Sequence, residues 1–298
     1  MGIPESQFET WSHQGAIVTS KTTHESIRNA LVANSSPIKD KNFEIYLQGS
    51  YKNDTNIYGE SDVDIVVQLN STFHYDLSAL PINESLFFKQ IYPNSAIYSW
   101  DNFRFDVLTA LRAYCGESKI SEGNKSLKVG DASGRLPADV IVCLQYRKYQ
   151  RILNLSYEQY VEGIILYTRR ENRTVINFPK PHYDNGVQKN ASTNDWYKPT
   201  VRVLKNARTY LIKHNLIEES LAPSYFIECL IYNVPNNEFG RNFQETFCNV
   251  VNWLAKSDFT NFVCQNGQLL LFGNSTEQWS INAAKQFISA LINLWNNW

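Results

Sequence analysis

Two aspartates separated by a single residue begin the most constraining segment of this chain, which reads DVDIVV from Asp62 to Val67. The Val- and Ile-rich run from Val63 to Leu69 predicts a strand. Because side chains alternate between the two faces of a strand, Asp62 and Asp64 are expected on the same face. Two carboxylates this close repel one another, and a bound divalent cation removes that cost. The segment therefore favours a metal site over the alternative, two solvated aspartates at a strand end.

A Gly-Ser pair lies shortly before these aspartates, after a predicted strand from Phe43 to Gln48. Gly49 allows the backbone to approach a phosphate closely, and the Ser50 hydroxyl can donate to phosphate oxygens. Mg²⁺ takes oxygen ligands from one or two carboxylates together with substrate phosphates. The predicted turn and the aspartates together point to a triphosphate and its metal ion.

A third carboxylate is expected on a later strand, predicted from Ala138 to Leu144 after the turn-rich sequence GDASGRLP. Asp139 lies on this strand and is followed by apolar, β-branched residues. Asp106 is the rival, within a Phe103 to Tyr114 segment that fits neither period cleanly and that we interpret as a helix. There Asp106 would cap the helix or form a salt bridge, so we favour Asp139.

The chain changes character near residue 150. The first half, with a helix predicted from Thr22 to Ala33, is mixed α/β. The second half shows helical patterns at Tyr157 to Leu166, Lys198 to Lys213, Pro223 to Tyr232, Phe243 to Ala255 and Glu277 to Trp295. The intervening segment INFPKPHYDNGVQKNASTNDWYKP is rich in Pro, Asn and Gly and is expected to be a long functional loop. We therefore predict a catalytic core with a central sheet at 1–150 and a helical lobe completing the nucleotide pocket at 151–298.

The amino-acid composition restricts the kinds of molecule that the protein is expected to bind. Lys and Arg number 28 against 29 Asp and Glu, so no global positive field exists to hold a long nucleic acid, and small substrates are favoured. The five cysteines are scattered and lack the paired spacing of a thiolate zinc site, which is typical of free thiols in a reducing cytosol. The chain shows neither a leader-like N-terminus nor an apolar run of membrane-spanning length. A soluble, cytoplasmic protein with no membrane role is expected.

The pattern GSYxxxTxIxxxSDVDIVV resembles the signature of the DNA polymerase β superfamily, and specifically its cGAS/DncV-like branch, the CD-NTases, in particular the bacterial branch E enzymes. The resemblance continues in LPADVIVCLQYRKY, INFPKPHYDNG, VRVLKNAR and APSYFIECLIYNVP. It implies an α+β fold of the polymerase β-like nucleotidyltransferase type, with a mixed sheet carrying the catalytic carboxylates plus a helical lobe. It also implies two Mg²⁺ ions, with Mn²⁺ as a substitute, held by the catalytic residues Asp62, Asp64 and Asp139. Asp139 would lie closest to the attacking hydroxyl.

The same resemblance assigns nucleotide contacts. Triphosphate contacts are implied for Gln48 and Lys205, stacking on the donor base for Tyr225, and a contact to a base edge for Asn177. Gly49 and Ser50 are expected at the triphosphate from their own chemistry, and the Ser224 hydroxyl, after Pro223 at a predicted helix start, can receive the phosphate tail together with the helix N-terminus. Simpler roles stay open: a strand-edge hydrogen bond for Gln48, a solvated helix lysine, a helix cap for Ser224, core packing for Tyr225 and a turn residue at Asn177. The sequence does not decide whether His182, Asn185 and Lys189, in the same predicted loop as Asn177, face substrate or solvent.

The function implied by the resemblance is a cyclic di- or oligonucleotide synthase that makes a second messenger for bacterial anti-phage signalling of the CBASS type. Its substrates would be NTPs, ATP first, with UTP or GTP as further candidates, and a regulatory protein is a candidate partner. Two alternatives remain: nucleotide transfer to another acceptor, such as an antibiotic, a protein or an RNA end, and an inactive nucleotide-binding scaffold. Three clustered aspartates argue against the scaffold, since clustered negative charge is costly without a function. Unlike cGAS, the chain shows no zinc-ligand insertion and no excess positive charge, which disfavours activation by double-stranded DNA.

Overall fold

The computed structural model describes residues 2–15, 18–59, 62–132, 134–154 and 156–298. The chain divides into two compact units that each collect separate stretches of sequence. The first unit contains Met1–Ile17, Gly49–Glu60 and Pro181–Trp298, and the second contains Val18–Gln48 and Ser61–Lys180.

The helices and strands follow one another in a mixed order. The helices are α1 (Glu5–Ser12), α2 (Val18–Val32), α3 (Gly49–Asn53), α4 (Ile82–Ile91), α5 (Trp100–Cys115), α6 (Pro179–Ser192), α7 (Tyr197–Lys213), α8 (Ser224–Tyr232), α9 (Phe243–Lys256) and α10 (Ile281–Asn296). The strands are β1 (Phe43–Leu47), β2 (Val63–Asp76), β3 (Ile120–Glu122), β4 (Leu127–Val129), β5 (Ala138–Asn154), β6 (Tyr157–Tyr167) and β7 (Thr174–Asn177). A short 3-10 turn, Glu117–Lys119, leads into β3.

The second unit is built on one mixed sheet with the strand order β1-β2-β5-β4-β3. β2 is antiparallel to β1 and parallel to β5, and the first residues of β5 pair antiparallel with β4. The later part of β5 pairs with β6, which pairs in turn with β7. The parallel contact thus joins the two strands on which the catalytic aspartates were predicted.

The first unit is helical and has its own core. Buried residues from α1 and from α7 to α10 pack together, among them Phe8, Leu204, Phe226, Val250 and Phe287. Burying such large apolar side chains is the main force that holds helices of this kind together. Among the residues that the structure describes, no helix is both long and apolar enough to cross a bilayer.

Most of the predicted elements are confirmed. The helix predicted from Thr22 to Ala33 is α2, and the strands predicted at residues 43–48, 63–69 and 138–144 are β1, β2 and β5, the last two extending well beyond the predicted ends. The ambiguous segment around Asp106 is the helix α5. It begins after Ser99, whose side chain accepts a hydrogen bond from the Asn102 backbone N–H as an N-cap.

The helix predicted from Tyr157 to Leu166 is wrong, because this segment is the strand β6. Its apolar residues Tyr157, Tyr160, Val161, Ile164 and Ile165 fall at helical spacing, which explains the prediction. Aromatic and β-branched residues nevertheless suit a strand, and β5 supplies a long pairing partner. Tertiary pairing decided between two local patterns.

The long loop predicted around INFPKPHYDNG is also wrong, since it contains the strand β7 and the helix α6. Pro179 is the first residue of α6, a position at which proline is favoured because its missing N–H has no helical partner there. Gly186 lies within α6, and an added Cβ there would collide with the Gln265 side chain. Close packing therefore accounts for a glycine in a helix of low intrinsic propensity.

Three smaller expectations need correction. The Gly-Ser turn is the first turn of the short helix α3, and Gly49 has a positive φ of 66°. Trp279 lies before α10, not on it, and stacks on Phe226 with ring centroids 4.1 Å apart. The boundary expected at residue 150 differs from the observed division, because β6 and β7 extend the sheet and carry the second unit to Lys180.

Candidate active site

A row of polar residues crosses the sheet of the second unit. Asp64 on β2 is the register partner of Asp139 on β5, Asp139 is the partner of Lys128 on β4, and Lys128 is the partner of Ser121 on β3. On the other side of Asp64, the backbone N–H of Gln48 donates to the Asp64 carbonyl at 3.0 Å. Directly opposed residues in a sheet point to the same face, with Cβ atoms about 5 Å apart.

The rows on either side of this polar row are apolar and buried. Val63, Ala138 and Val129 form one, and Ile65, Val140 and Leu127 form the other, each residue with at most 2% of its surface exposed. In contrast, the side chains of Asp64 and Asp139 are half-buried, and that of Lys128 is exposed. The period of two that buries one face of the sheet therefore presents the polar row on the other face.

A cavity of about 360 Å³ opens beside the part of the polar row that runs from Asp139 to Ser121. Its lining includes Asp62, Asp139, Lys128, Lys119 and Ser121. Asp62 itself lies one residue before β2 and is exposed. The structure thus brings Asp62 and Asp139 to one cavity and makes Asp64 and Asp139 direct neighbours in the sheet.

Asp106, the rival for the third carboxylate, lies on α5 and accepts a hydrogen bond from the Tyr98 hydroxyl. It is absent from the polar row and from the lining of the cavity beside Asp139. The backbone register therefore favours Asp139.

The side chains of the three aspartates are not drawn together as metal ligands. Within the described parts of the chain, no three or more His, Cys, Asp or Glu side chains meet closely enough to hold a metal ion. The residue types nevertheless fit two cations. Mg²⁺ prefers oxygen ligands, and these carboxylates lie on adjacent strands or beside a cavity. The metal site stays a prediction, supported by the strand register.

Two further predicted residues belong to the second unit. Gln48 has a buried side-chain amide oxygen that no described residue contacts by a hydrogen bond, which is unusual for a buried polar atom. Asn177 is the last residue of β7, and its amide oxygen accepts from the Phe178 backbone N–H at 2.8 Å. Gly163 on β6 allows this close approach, since an added Cβ would lie 2.8 Å from the Asn177 carbonyl oxygen. The position of Asn177 is therefore tightly fixed.

The remaining predicted nucleotide contacts belong to the first unit. Gly49 and Ser50 begin α3, and Ser224 begins α8, so both serines lie where helix N–H groups can receive an anion. Pro223 precedes α8 and is not its first residue. Tyr225 has 36% of its surface exposed and stacks on the buried His182, with ring centroids 5.2 Å apart. It therefore presents an aromatic surface with a second ring beneath it.

Lys205 is completely buried and forms an ion pair within the first unit. Its ammonium lies 3.1 Å from Glu228 Oε1 and donates to the Thr55 carbonyl at 3.0 Å. The other Glu228 oxygen accepts from Asn53 Nδ2 at 3.0 Å and lies 3.2 Å from His182 Nε2. A solvated helix lysine, the simpler alternative for Lys205, is wrong. The triphosphate contact implied for this lysine stays a prediction.

Glu228 is ionised in this cluster. Burial by itself raises the pKa of a carboxyl, but the charge of Lys205 and hydrogen bonds from His182 and Thr55 outweigh burial and hold the pKa of Glu228 well below its usual value. The carboxylate thereby links residues from four segments: the end of α3, the loop after it, α6 and α7. We call Glu228, Lys205, His182, Asn53 and Thr55 the Glu228 cluster.

Glu228 and Lys128 are two residues of these sites that are absent from the sequence-based predictions. A signal for Glu228 exists, because it is the sole charged residue in the apolar run SYFIECLIY. Lys128 alternates with the buried Leu127 and Val129, but three residues are too few to reveal a strand, and nothing local shows that the strand pairs with Asp139.

A mixed sheet whose parallel strands place two aspartates side by side, joined in one chain to a helical unit, defines a nucleotidyltransferase of the polymerase β-like type. Comparison with known proteins makes the assignment specific. A model of the cGAS/DncV-like nucleotidyltransferase C-terminal helical domain matches residues 184–296. The cyclic UMP-AMP synthase of Rhodothermus marinus is 52% identical over 298 residues, covering 100% of this chain and 99% of that protein.

Two further relatives agree. The cyclic nucleotide synthase CdnE01 of Staphylococcus haemolyticus is 43% identical and is matched over the full length of both chains. The structure of the Rhodothermus marinus CdnE c-UMP-AMP synthase with Apcpp and Upnpp superposes with a TM-score of 0.89 at 51% identity, covering 99% of this chain and 97% of that one. The chain belongs to the cGAS/DncV-like nucleotidyltransferases, the CD-NTases, and within them to the cyclic nucleotide synthases.

Proposed function

We propose that this chain joins one uridine and one adenine nucleotide, supplied as UTP and ATP, into a cyclic dinucleotide. The observation that carries the catalytic part is the register pairing of Asp64 with Asp139 on parallel strands beside a cavity. The choice of bases is supported by the 52% identity with the cyclic UMP-AMP synthase of Rhodothermus marinus over the whole chain.

Each transfer joins a ribose hydroxyl oxygen of one nucleotide to the α-phosphorus of another. The bond to the β-phosphate breaks, pyrophosphate leaves, and the hydroxyl loses its proton. Two Mg²⁺ ions, with Mn²⁺ as a substitute, would be held by Asp62, Asp64 and Asp139 and would neutralise the charge on the attacking and departing oxygens. Asp139 orients the attacking hydroxyl, and a second transfer of the same kind closes the ring.

The nucleotide contacts predicted within each unit have chemistry that suits a nucleoside triphosphate. In the second unit the Gln48 side-chain amide, whose oxygen has no hydrogen-bond partner among the described residues, suits a triphosphate contact, since amide oxygen and nitrogen are assigned only from their partners. In the first unit Ser50, the second residue of α3, and Ser224, the first residue of α8, suit phosphate oxygens, and the exposed face of Tyr225 suits a base. Lys205 would add its charge to the triphosphate contacts, and Gly49 would let the backbone approach.

Asn177 is proposed to select uracil. With its amide oxygen accepting from the Phe178 backbone, its amide nitrogen remains the donor end, and uracil presents carbonyl acceptors where cytosine presents an amine. The product is proposed to act as a second messenger in anti-phage defence of the CBASS type, with a regulatory protein as partner.

The test is a set of reactions with each single NTP and each pair of NTPs, read by mass spectrometry after phosphatase treatment. We expect a phosphatase-resistant cyclic product of one UMP and one AMP from the UTP and ATP pair. Asp139→Asn should abolish it, and Asp106→Asn, the matched control, should retain it. Asn177→Ala should lower the incorporation of UMP relative to that of AMP. A linear product alone, or label on another acceptor, would contradict cyclisation.

A further inference from the structure

The polar row continues past the aspartates to Lys128, and this extension has no role in the chemistry described so far. Asp139 lies between Asp64 and Lys128 in the row. Gln48, a proposed donor triphosphate contact, lies at the Asp64 end. If Asp139 orients the attacking hydroxyl, the acceptor nucleotide must extend from Asp139 toward β4 and β3.

The cavity on that side offers cationic and hydroxyl groups to a phosphate beside carboxylates that suit a metal ion. Lys128, Lys119 and Ser121 line it, and so do Asp62, Asp131 and Asp139. Lys128 is exposed, and its partner in the adjacent strand β3 is Ser121, whose hydroxyl is a further donor. A volume of about 360 Å³ is within the usual range for a small-ligand site.

Lys119 lies just before β3 and is held by contacts to the segment after β4. Its ammonium donates to the Asp131 carbonyl at 3.0 Å and lies 3.8 Å from the Asp131 carboxylate, while 47% of its side chain is exposed. The Gly130 backbone N–H also donates to the Lys119 carbonyl at 2.8 Å. An ammonium held in this way has lost part of its conformational freedom before a ligand arrives, which lowers the cost of binding.

The chemistry of stepwise cyclisation requires a place for a second triphosphate. In the first transfer the acceptor uses only its ribose hydroxyl and keeps its own 5′-triphosphate. In the second transfer the α-phosphate of that group forms the new linkage, and its β- and γ-phosphates leave as pyrophosphate. Such a group carries several negative charges. Lysine is a suitable partner because it acts as a compact point charge toward phosphate.

We propose that Lys128 and Lys119, with Ser121, bind the 5′-triphosphate of the acceptor nucleotide during the first transfer. This inference rests on the proposed function, because it assumes that the acceptor is itself an NTP. It assigns the cavity over β3 and β4 to the acceptor and gives both lysines a substrate contact.

The test separates donor from acceptor. A 2′,3′-dideoxynucleoside triphosphate can donate but has no hydroxyl with which to accept, and an α,β-methylene NTP can accept but cannot donate. The dideoxynucleotide donor is combined either with the α,β-methylene NTP or with the matching nucleoside monophosphate as acceptor, and the linear product is measured. Both base assignments are tested: a uridine donor with an adenosine acceptor, and the reverse. The wild type should prefer the triphosphate acceptor.

Lys128→Ala and Lys119→Ala should each lower kcat/KM for the triphosphate acceptor by about tenfold or more. The free energy of a hydrogen bond to a charged group corresponds to at least this factor. Reaction with the monophosphate acceptor should change by less than about twofold on the same scale. Lys125→Ala, in the same hairpin but outside the lining of the cavity, is the matched control and should affect neither. Lys128→Arg should restore part of the preference.

Equal losses with both acceptors would overturn the proposal and would place Lys128 in the support of Asp139 instead. Unchanged acceptor preference in both variants would overturn it as well. Failure of the wild type to make linear product with either acceptor would remove the proposed function itself, and the acceptor site with it. Thermal unfolding of each variant, with Lys128→Gln as a second substitution, checks that the fold is retained.

Discussion

The two units hold negative charge in opposite ways. In the first unit, Glu228 has 3% of its surface exposed, and the fully buried Lys205 and neighbouring hydrogen-bond donors neutralise it from within the protein. In the second unit, Asp62 and Asp139 face a cavity. A buried charge that is compensated internally fixes architecture, whereas carboxylates presented to a cavity are available to a ligand. Substitutions should therefore separate stability from activity between the two regions.

The largest effect on activity is expected for Asp64→Asn. Removing one carboxylate from a proposed two-metal site should lower product formation by about a thousandfold or more, or ~4 kcal/mol of transition-state stabilisation. The thermal unfolding midpoint should stay close to that of the wild type, because the substitution keeps the side-chain shape and relieves repulsion. Initial rates of pyrophosphate release and a melting curve give both values. Retained activity would remove Asp64 from the catalytic residues.

The largest effect on stability is expected for Glu228→Gln. Breaking a buried ion pair leaves the charge of Lys205 without its carboxylate, which costs about 3–5 kcal/mol. The amide keeps the volume and can still accept one hydrogen bond, so the loss reports the charge. Thermal and urea unfolding should show a clearly lower midpoint, and a midpoint equal to that of the wild type would mean that the cluster does not stabilise the first unit.

The same cluster provides a test of Lys205. A double substitution, Lys205→Met with Glu228→Leu, removes both charges and should recover much of the stability lost in Glu228→Gln, since apolar replacements of buried ion pairs are often neutral. If Lys205 also binds the triphosphate, this variant should be stable but should have a raised KM for NTP. A stable variant with normal KM would restrict Lys205 to a structural role.

Lowering the pH should reduce the stability that the Glu228 cluster gives to the first unit. The pKa of Glu228 in the folded protein lies below its ordinary value of 4.5, because the cluster outweighs the effect of burial. Its stabilisation is therefore fully present above that value and declines as the pH falls below it. The difference in unfolding midpoint between wild type and Glu228→Gln should shrink from about pH 6 to pH 3. Glu122 and Glu162, whose pKa values are also lowered, titrate in both proteins and cancel in the comparison.

The sequence predicts the aspartates of the second unit better than the Glu228 cluster of the first unit, for a physical reason. The DVDIVV segment combines a strand period with two carboxylates, so its chemistry can be inferred locally, whereas the fold class is implied by the resemblance of the longer GSYxxxTxIxxxSDVDIVV pattern to the polymerase β superfamily. The pairing of Asp64 with Asp139 joins residues far apart in the chain, and the row from Asp139 to Lys128 depends on a three-residue strand. Register of this kind is set by tertiary pairing and leaves no local pattern.

The errors have the same origin. In β6 the apolar residues satisfy the helical period, and the long partner β5 overrides it. In α6 the Pro, Asn and Gly residues predict a loop, and packing around Gly186 overrides their low propensity. Lys205 was correctly placed on the helix α7, but its full burial depends on Glu228 in α8. These outcomes required the neighbours in space, which the sequence does not name.

The smallest effect is expected where an ion pair in the first unit is open to solvent. Arg241 and Glu245 are 2.6 Å apart in an i,i+4 arrangement, with side chains 79% and 34% exposed. Water and salt screen such a pair, so Glu245→Gln should cost no more than about 0.5 kcal/mol and should lose even this effect at high salt. The same Glu→Gln change at Glu228 should cost several times more and should depend little on salt. Equal costs at the two positions would show that burial does not distinguish them, and the contrast between a charge neutralised inside the protein and one exposed to solvent would then fail for this chain.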